Sequence, residues 1–400
     1  MHKLGINGMG RIGKLILWNN LLSAEFDEFV VNIGRKSGNS IDAFINFIMT
    51  DSTYGALDRF LFGYSGKNVV VEKIDDSTFK LNGKLIRVLD KERNPKNIGW
   101  KKFGVKVVVD CTGVFLDPNE EVDAPRGSVR GHLESGAEIV ICSAPFKTKE
   151  QYPNDAIMAV YGINHKDIDF NKHKIISSAS CTTTALSHMM KPLLDNIETS
   201  KIITASMSTI HSATNNQTIL DSLPKSGSVD LRRNRSVFNN IIITSTGAAK
   251  ALEYVLPQIK EIGFMADSVR IASNTVSLVT LNLTFKTSLN SKGEPTINND
   301  YLNEIYENAS NECKLLNFSK LQNVSSDFRG ERASVVIEGY ETHTKTGYLS
   351  LPNSVLFENG VTGEIKLPVT HAKIFGWYDN EFGNYVNSLT ELLNYSIKNI

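Results

Sequence analysis

The chain has 400 residues, more than one ordinary globular domain, so two domains or one with large elaborations is the expectation. Apolar residues make up 41% and charged residues 22%, ordinary values for a folded protein, and no low-complexity tract interrupts them. Lys+Arg and Asp+Glu both count 43, so no global field draws the chain to nucleic acid or an acidic membrane, and any anionic partner must be held by a local cluster.

The stretch "MHKLGINGMGRIGKL" lacks the long apolar core of a signal peptide, and no later run approaches ~18 apolar residues, so a soluble, cytoplasmic protein without a membrane partner is expected. "KLGING" reads as a short strand. "GMGRIGKLILWNNLL" then places Gly8, Gly10 and Gly13 in G-x-G-x-x-G spacing ahead of a helical apolar pattern. In that context Gly8 permits the tight turn, Gly10 admits a pyrophosphate to the backbone, and Gly13 allows close helix–strand packing. The next strand, "EFVVNIG", lacks the terminal acidic residue that bonds the adenosine ribose in NAD sites. It runs into Gly34, Arg35, Lys36 and Ser37, and the next carboxylate is Asp42. Two cations and a hydroxyl suit a ribose 2′-phosphate, so NADP stands beside NAD; plain solvated loop charges are the other reading of Arg35 and Lys36.

Further along, "GVKVVVDCTGVF" and "AEIVICSAP" are nearly continuous apolar runs, the pattern of parallel strands buried on both faces. Cys111 and Cys142 sit inside them as packing residues. The four cysteines, with Cys181 and Cys313, lie far apart with no C-x-x-C pair, so neither a metal site nor a disulfide framework is indicated. Cys181 differs from the others: "KHKIISSAS" reads as a strand and "TTTALSHMMKPLLDN" as a helix, which puts this thiol near a helix N-terminus. Backbone dipoles there favour a thiolate, and a thiolate could attack an aldehyde carbonyl. From this stretch alone, a structural thiol and a catalytic one both remain open.

"ASMSTIHSATNNQTILDS" then carries His211 at the end of an apolar alternation, and "DLRRNR" and "TSTGAAKAL" add basic residues and a hydroxyl–glycine helix start. A nucleophilic cysteine needs a base; a phosphorylated substrate needs arginine and backbone donors. Extended segments follow in "DSVRIASNTVSLVTLNLTFKT" and "ASVVIEGYET", and the terminal "EFGNYVNSLTELLNYSIKN" is amphipathic.

Together "GINGMGRIG", "DSTYG", "CTGVF", "SASCTTT", "STIHSAT", "DLRRNR", "TSTGAAKA" and "WYDNEFG", in order along almost the whole chain, resemble the phosphorylating glyceraldehyde-3-phosphate dehydrogenases. The resemblance implies Cys181 as nucleophile and His211 as base. It implies one anion site at Thr214 and Arg270 for the substrate phosphate, and a second at Ser180, Thr182, Arg233, Thr246 and Gly247 for inorganic phosphate. For NAD or NADP it implies Asn7, Gly8, Gly10, Arg11, Ile12, Gly13, Arg93, Thr112 and Gly113 beside Arg35, with Asn380 on the nicotinamide carboxamide. It also implies a homotetramer whose interfaces use the segment around 214–235. Two other readings stay open: an erythrose-4-phosphate dehydrogenase, and a nucleotide-binding regulatory paralogue with weak or no activity.

The chain departs from the family pattern at Thr184 (usually Asn), at Ile271, Ala272 and Ser273 (commonly V-P-T), and at Phe382 and Asn384 (usually Trp and Tyr). Extra residues fall near 117–130, 225–229 and 339–370, the last reading as added hairpins broken at Thr-Gly, Pro-Asn, Asn-Gly and Thr-Gly. The expected fold class is α/β. A Rossmann-type doubly wound parallel sheet spans 1–178, with the C-terminal helix of 381–400 packed back on it. An α+β catalytic domain with a largely antiparallel sheet spans 179–375.

Overall fold

Short apolar runs separated by turns build the nine-stranded sheet that organises the first half of the chain. Its strands are β1 (Lys3–Asn7), β2 (Glu28–Asn32), β3 (Val71–Lys73), β4 (Thr78–Leu81), β5 (Lys84–Leu89), β6 (Val107–Asp110), β7 (Ile139–Cys142), β8 (Ala156–Met158) and β9 (Ile175–Ser177). The order across the sheet is β8-β9-β7-β6-β1-β2-β5-β4-β3. Every neighbouring pair from β8 to β5 is parallel, and the pairs β5–β4 and β4–β3 are antiparallel. The chain starts at β1, builds outward through β2, then crosses to β6, so the order reverses between β1 and β6. In open α/β sheets that switch point is where ligands bind, at the carboxyl ends of the strands. β6 and β7 are buried at every position, which is why their sequences are apolar without alternation.

The computed structural model describes residues 2–36, 38, 40–224, 226–352 and 363–400, and these divide into two compact units. The first contains Met1–Thr184, Gly330–Arg332 and Glu381–Ile400; the second contains Ala185–Arg329 and Ala333–Asn380. The helix Ser388–Lys398 belongs to the first unit because its apolar face enters that unit's core: Leu389, Leu392 and Leu393 pack with Leu15, Ile16 and Val109. Thr390 also takes a hydrogen bond from Asn19 at 3.0 Å.

In the second unit the strands are β10 (Ile202–Ser212), β11 (Ile242–Ser245), β12 (Gly263–Ile271), β13 (Ser277–Lys286), β14 (Leu316–Ser319), β15 (Val335–Glu338), β16 (His343–Pro352) and β17 (Glu364–Tyr378). Their order is β11-β12-β10-β13-β17-β15-β14, with β16 also on β17. Most pairs are antiparallel; β10 with β12 and β14 with β15 are parallel. β13 alternates buried and half-buried residues along nearly its whole length, the signature of a sheet covered on one face.

The late insertion takes a simpler form than several hairpins. β16 and β17 make one long antiparallel ladder from His343↔Lys373 to Pro352↔Glu364. Thr346 and Gly347, read above as a break, pair with Thr370 and Val369 inside that ladder. The period-2 pattern of the flanking residues overrides the weak turn preference of one Thr-Gly dipeptide. The breaks at Pro352-Asn353, Asn359-Gly360 and Thr362-Gly363 fall on or beside residues 353–362, which lie outside the described residues.

Candidate active site

The glycine turn joins β1 to the helix Arg11–Asn20. Gly8 has φ +93°, a conformation that favours glycine. A Cβ on Gly13 would stand 2.1 Å from the Gly8 carbonyl, so helix and turn meet at a distance only glycine permits. A Cβ on Gly10 would meet nothing within 4 Å, which leaves room for a ligand against the backbone at this helix start. The geometry fits a dinucleotide pyrophosphate. Ile12 is partly buried against the core of the first unit.

Side chains around the turn have partners within the protein. Asn7 donates to Asp110 at 2.7 Å, and Thr112 donates to the other Asp110 oxygen at 2.6 Å. Arg11 is bound by two carboxylates, Asp51 and Glu381, so its guanidinium anchors the helix start. Burial raises the Asp51 carboxyl, but bonds from Lys14 and the Thr53 and Tyr54 amides, with the charge of Arg11, outweigh it and hold Asp51 at about 2. At the end of β2, Arg93 Nε donates to the Gly34 carbonyl at 3.2 Å, beside exposed Arg35 and Lys36. Gly113, with φ +65°, closes the turn after β6.

Cys181 is the first residue of the helix Cys181–Asp195. Ser180 caps that helix: its hydroxyl accepts from the Thr183 amide at 3.1 Å and meets the Thr183 hydroxyl at 2.8 Å. Thr182 is buried in the first turn. Two residues ahead of the thiol, Ala179 adopts φ +57°, unusual for a residue with a Cβ. The Ser177 hydroxyl accepts from the Ala179 amide at 3.1 Å, and the Tyr385 hydroxyl donates to the Ala179 carbonyl at 3.1 Å while meeting the Ser178 hydroxyl at 2.9 Å. The strained turn that presents Cys181 is therefore held at both its N–H and its C=O. Burial pushes the Cys111 and Cys142 thiols well above their ordinary value, so neither is a nucleophile at neutral pH.

In the second unit His211 and Arg270 are cross-strand partners of the parallel pair β10–β12. His211 is 3% exposed, with its ring edge-on to Tyr378 at 6.0 Å between centroids. Its Nδ1 lies 2.8 Å from the Ser212 carbonyl and also against Arg270 Nη1. The two contacts ask for different tautomers. Nδ1–H donates to Ser212 and leaves the lone pair on Nε2, whereas a bare Nδ1 accepts from Arg270. Burial first, then the Arg270 charge, push the imidazole down to about 3, so His211 is neutral at neutral pH, as a general base must be. Asn380 is fixed nearby in the same unit: its carbonyl accepts from the Ser212 hydroxyl at 2.7 Å and the Ser277 hydroxyl at 3.1 Å, leaving the amide nitrogen as donor.

The remaining positions in this unit are held by separate local contacts. Thr244 and Arg233 both address Asp230, at 3.5 Å and 3.7 Å. Thr246, two residues past Thr244, accepts from the Ala248 amide at 3.2 Å, and Gly247 caps the helix Ala248–Val255. Ile242 pairs with Arg270, but Ser245 pairs with Asp267, so Thr246 and Gly247 sit beyond the other end of that ladder. Thr214 is tied through its amide and hydroxyl to Gln217.

Sequence reasoning missed the supports: Asp51 and Glu381 for Arg11, Ser178 and Tyr385 for the Cys181 turn, Asp110 for Asn7 and Thr112. Asn384 carried a faint signal, since a tyrosine is usual there and Tyr385 follows it within a π-helical turn, Phe382–Asn387. Among the described residues no three His, Cys, Asp or Glu side chains converge as metal ligands, and no helix is long and apolar enough to cross a membrane.

A glycine turn at the switch point of a parallel sheet is the architecture of a dinucleotide-binding oxidoreductase. Residues 2–118 match the glyceraldehyde 3-phosphate dehydrogenase NAD binding domain, and residues 180–380 match the C-terminal domain of the same enzymes. The chain is 34% identical to glyceraldehyde-3-phosphate dehydrogenase 1 of Bacillus subtilis over 397 residues, 99% of this chain and 98% of the relative. It is 33% identical to glyceraldehyde-3-phosphate dehydrogenase of Geobacillus stearothermophilus over 396 residues, covering 98% and 97%. With glyceraldehyde-3-phosphate dehydrogenase 2 of Nostoc sp. it shares 32% over 384 residues, covering 96% and 95%. The chain belongs to the glyceraldehyde-3-phosphate dehydrogenase family. It is an NAD(P)-dependent aldehyde dehydrogenase of the phosphorylating class.

Proposed function

We propose that this protein oxidises glyceraldehyde 3-phosphate to an acyl phosphate through a thioester on Cys181. The observation that carries this reading is the placement of Cys181 as the first residue of its helix, behind a turn locked by Ser177 and Tyr385. Backbone N–H groups at that helix start favour the thiolate. The Cys181 thiolate adds to the aldehyde carbon, forming a C–S bond as the C=O π bond opens, and the resulting alkoxide takes a proton from solvent. His211, neutral and in the tautomer that bonds Ser212 through Nδ1–H, removes that hydroxyl proton as the carbon loses hydride. The bound dinucleotide supplies the hydride acceptor. Asn380 orients the carboxamide end of that cofactor, and Gly8, Gly10 and Gly13 receive its pyrophosphate. Loss of hydride leaves a thioester on Cys181. An oxygen of inorganic phosphate then attacks the carbonyl, the C–S bond breaks, and the acyl phosphate departs as the thiolate is regenerated.

Arg270 and Thr214 take the substrate phosphate, while Ser180, Thr182, Arg233, Thr246 and Gly247 take the attacking phosphate. The Arg233 guanidinium, half-exposed beside Asp230, and the helix start at Thr246 and Gly247 support the second assignment. Arg93 against Gly34, with exposed Arg35 and Lys36 on the same turn, supports a cofactor carrying a ribose 2′-phosphate as well as NAD. Exposed Leu223, Val229, Phe238 and Ile241 support burial of these side chains in a homotetramer, and the protein works in the cytoplasm.

The test traps the intermediate. The protein is mixed with NAD and glyceraldehyde 3-phosphate without inorganic phosphate, quenched in acid, and its peptides are weighed by mass spectrometry. A phosphoglyceryl adduct on the Cys181 peptide, removed by added phosphate, is expected. An unmodified Cys181 alongside NADH formation would overturn the reading.

A further inference from the structure

Beneath the glycine turn lies a chain of buried polar groups that the proposed chemistry does not use. Trp100 Nε1–H donates to His132 Nδ1 at 3.0 Å, and His132 Nε2 lies 3.0 Å from Asp110 Oδ2. Trp100 and His132 are wholly buried and Asp110 is 2% exposed. Because an indole nitrogen can only donate, His132 Nδ1 is the acceptor and the proton sits on Nε2, pointing at the carboxylate. These contacts fix one orientation of the ring.

From Asp110 the network forks. Oδ2 also accepts from Asn7 Nδ2 at 2.7 Å, and Oδ1 accepts from the Thr112 amide at 3.0 Å and the Thr112 hydroxyl at 2.6 Å. Asn7 in turn accepts from Asn32 Nδ2 at 2.8 Å. One carboxylate thus ties the ends of β1, β2 and β6, three strands whose carboxyl ends face the switch point. Burial pushes the Asp110 carboxyl up, but the His132, Thr112 and Asn7 bonds outweigh it, so it stays ionised. Gly8 rests directly on the result: a Cβ there would stand 3.0 Å from the Thr112 amide and its methyl group. The position of Thr112 therefore sets the position of the turn.

We infer that His132 is a positioning residue for the dinucleotide: held by Trp100, it orients Asp110, which fixes Thr112 and Asn7 and so places the glycine turn that receives the cofactor. The inference rests on reading Gly8–Gly13 as the dinucleotide site. A buried donor supplied from one side and a carboxylate shared by both loops transmit His132's orientation to the turn without His132 touching the ligand.

The experiment compares wild type, His132→Leu, His132→Gln and Trp100→Phe in the full-length protein, measuring NAD affinity by quenching of tryptophan fluorescence, steady-state kinetics, and the rate of Cys181 alkylation by iodoacetamide. In His132→Leu, Kd and KM for NAD should rise about tenfold, from the loss of one buried charge-assisted hydrogen bond. kcat at saturating NAD and the alkylation rate should stay within about twofold of wild type. His132→Gln, whose amide can donate to Asp110 and accept from Trp100, should restore most of the affinity. Trp100→Phe should give an intermediate loss by titration calorimetry, since it removes only the donor to Nδ1. Unchanged NAD affinity in folded His132→Leu, or equal losses in the Leu and Gln variants, would overturn the inference. Wild type that binds no NAD would instead sink the assignment of the glycine turn.

Discussion

Cys181 and His211 are held by opposite means. The thiol follows a turn in an unfavourable backbone conformation, Ala179 at φ +57°, pinned by the neighbouring Ser177 and the distant Tyr385 of the same unit. The imidazole sits in the middle of a sheet, where the register of β10 against β12 puts Arg270 opposite it. A loop site costs strain and needs dedicated supports; a strand site takes its precision from the ladder that already exists. The first arrangement presents a thiol at a helix start, the second buries an imidazole and keeps it neutral.

Substitutions separate the two designs. Cys181→Ser should lower turnover at least about 10⁴-fold while leaving NAD affinity within twofold, measured by initial rates and fluorescence titration. His211→Asn should lower kcat by about 10²- to 10⁴-fold, the range for losing a general base, with the stability of the sheet preserved. Retention of full kcat would remove His211 from the chemistry. Arg35→Asp should shift the NADP/NAD preference about tenfold toward NAD, as loss of one charge-assisted contact does. Equal relative affinities would show Arg35 to be a solvated charge. Tyr385→Phe, which deletes only the hydroxyl that holds Ala179, should slow Cys181 alkylation about threefold to tenfold and leave His211-dependent steps alone.

The smallest effect concerns stability and pH. His211 is held below its ordinary value in the fold, at about 3, so between the ordinary histidine range and that value the unfolded chain binds a proton that the folded chain does not. Wild type should lose stability as pH falls through that window. His211→Asn should show a shallower loss in denaturant titrations at pH 6.5 and pH 4.5, and parallel curves would mean that the ring is accessible to protons in the native state.

Much of the fold was legible because its signals are local. Apolar runs without alternation marked β6 and β7, alternation marked β10 and β13, and three glycines marked the turn. Family motifs brought in Thr246, Asn380 and the anion-site residues, of which strand register places only Arg270, opposite His211. The supports were not legible. Tyr385 is 206 residues from Ala179 and Glu381 is 370 from Arg11, and no local pattern encodes contacts at such separations. His132 carried no signal at all, since a single histidine in the short polar helix Arg130–Glu134 gives no sign of the carboxylate and indole that the fold sets against it. The Thr346-Gly347 dipeptide failed in the other direction, a turn signal overruled by the long ladder around it.

The most direct test of the central claim is the initial rate of NAD and NADP reduction with glyceraldehyde 3-phosphate, with and without inorganic phosphate. Turnover that depends on phosphate, with a single stoichiometric burst of reduced cofactor per chain when phosphate is omitted, is the predicted result. Steady turnover of equal rate in the absence of phosphate, or none with either nucleotide, would contradict a thioester at Cys181 resolved by phosphate.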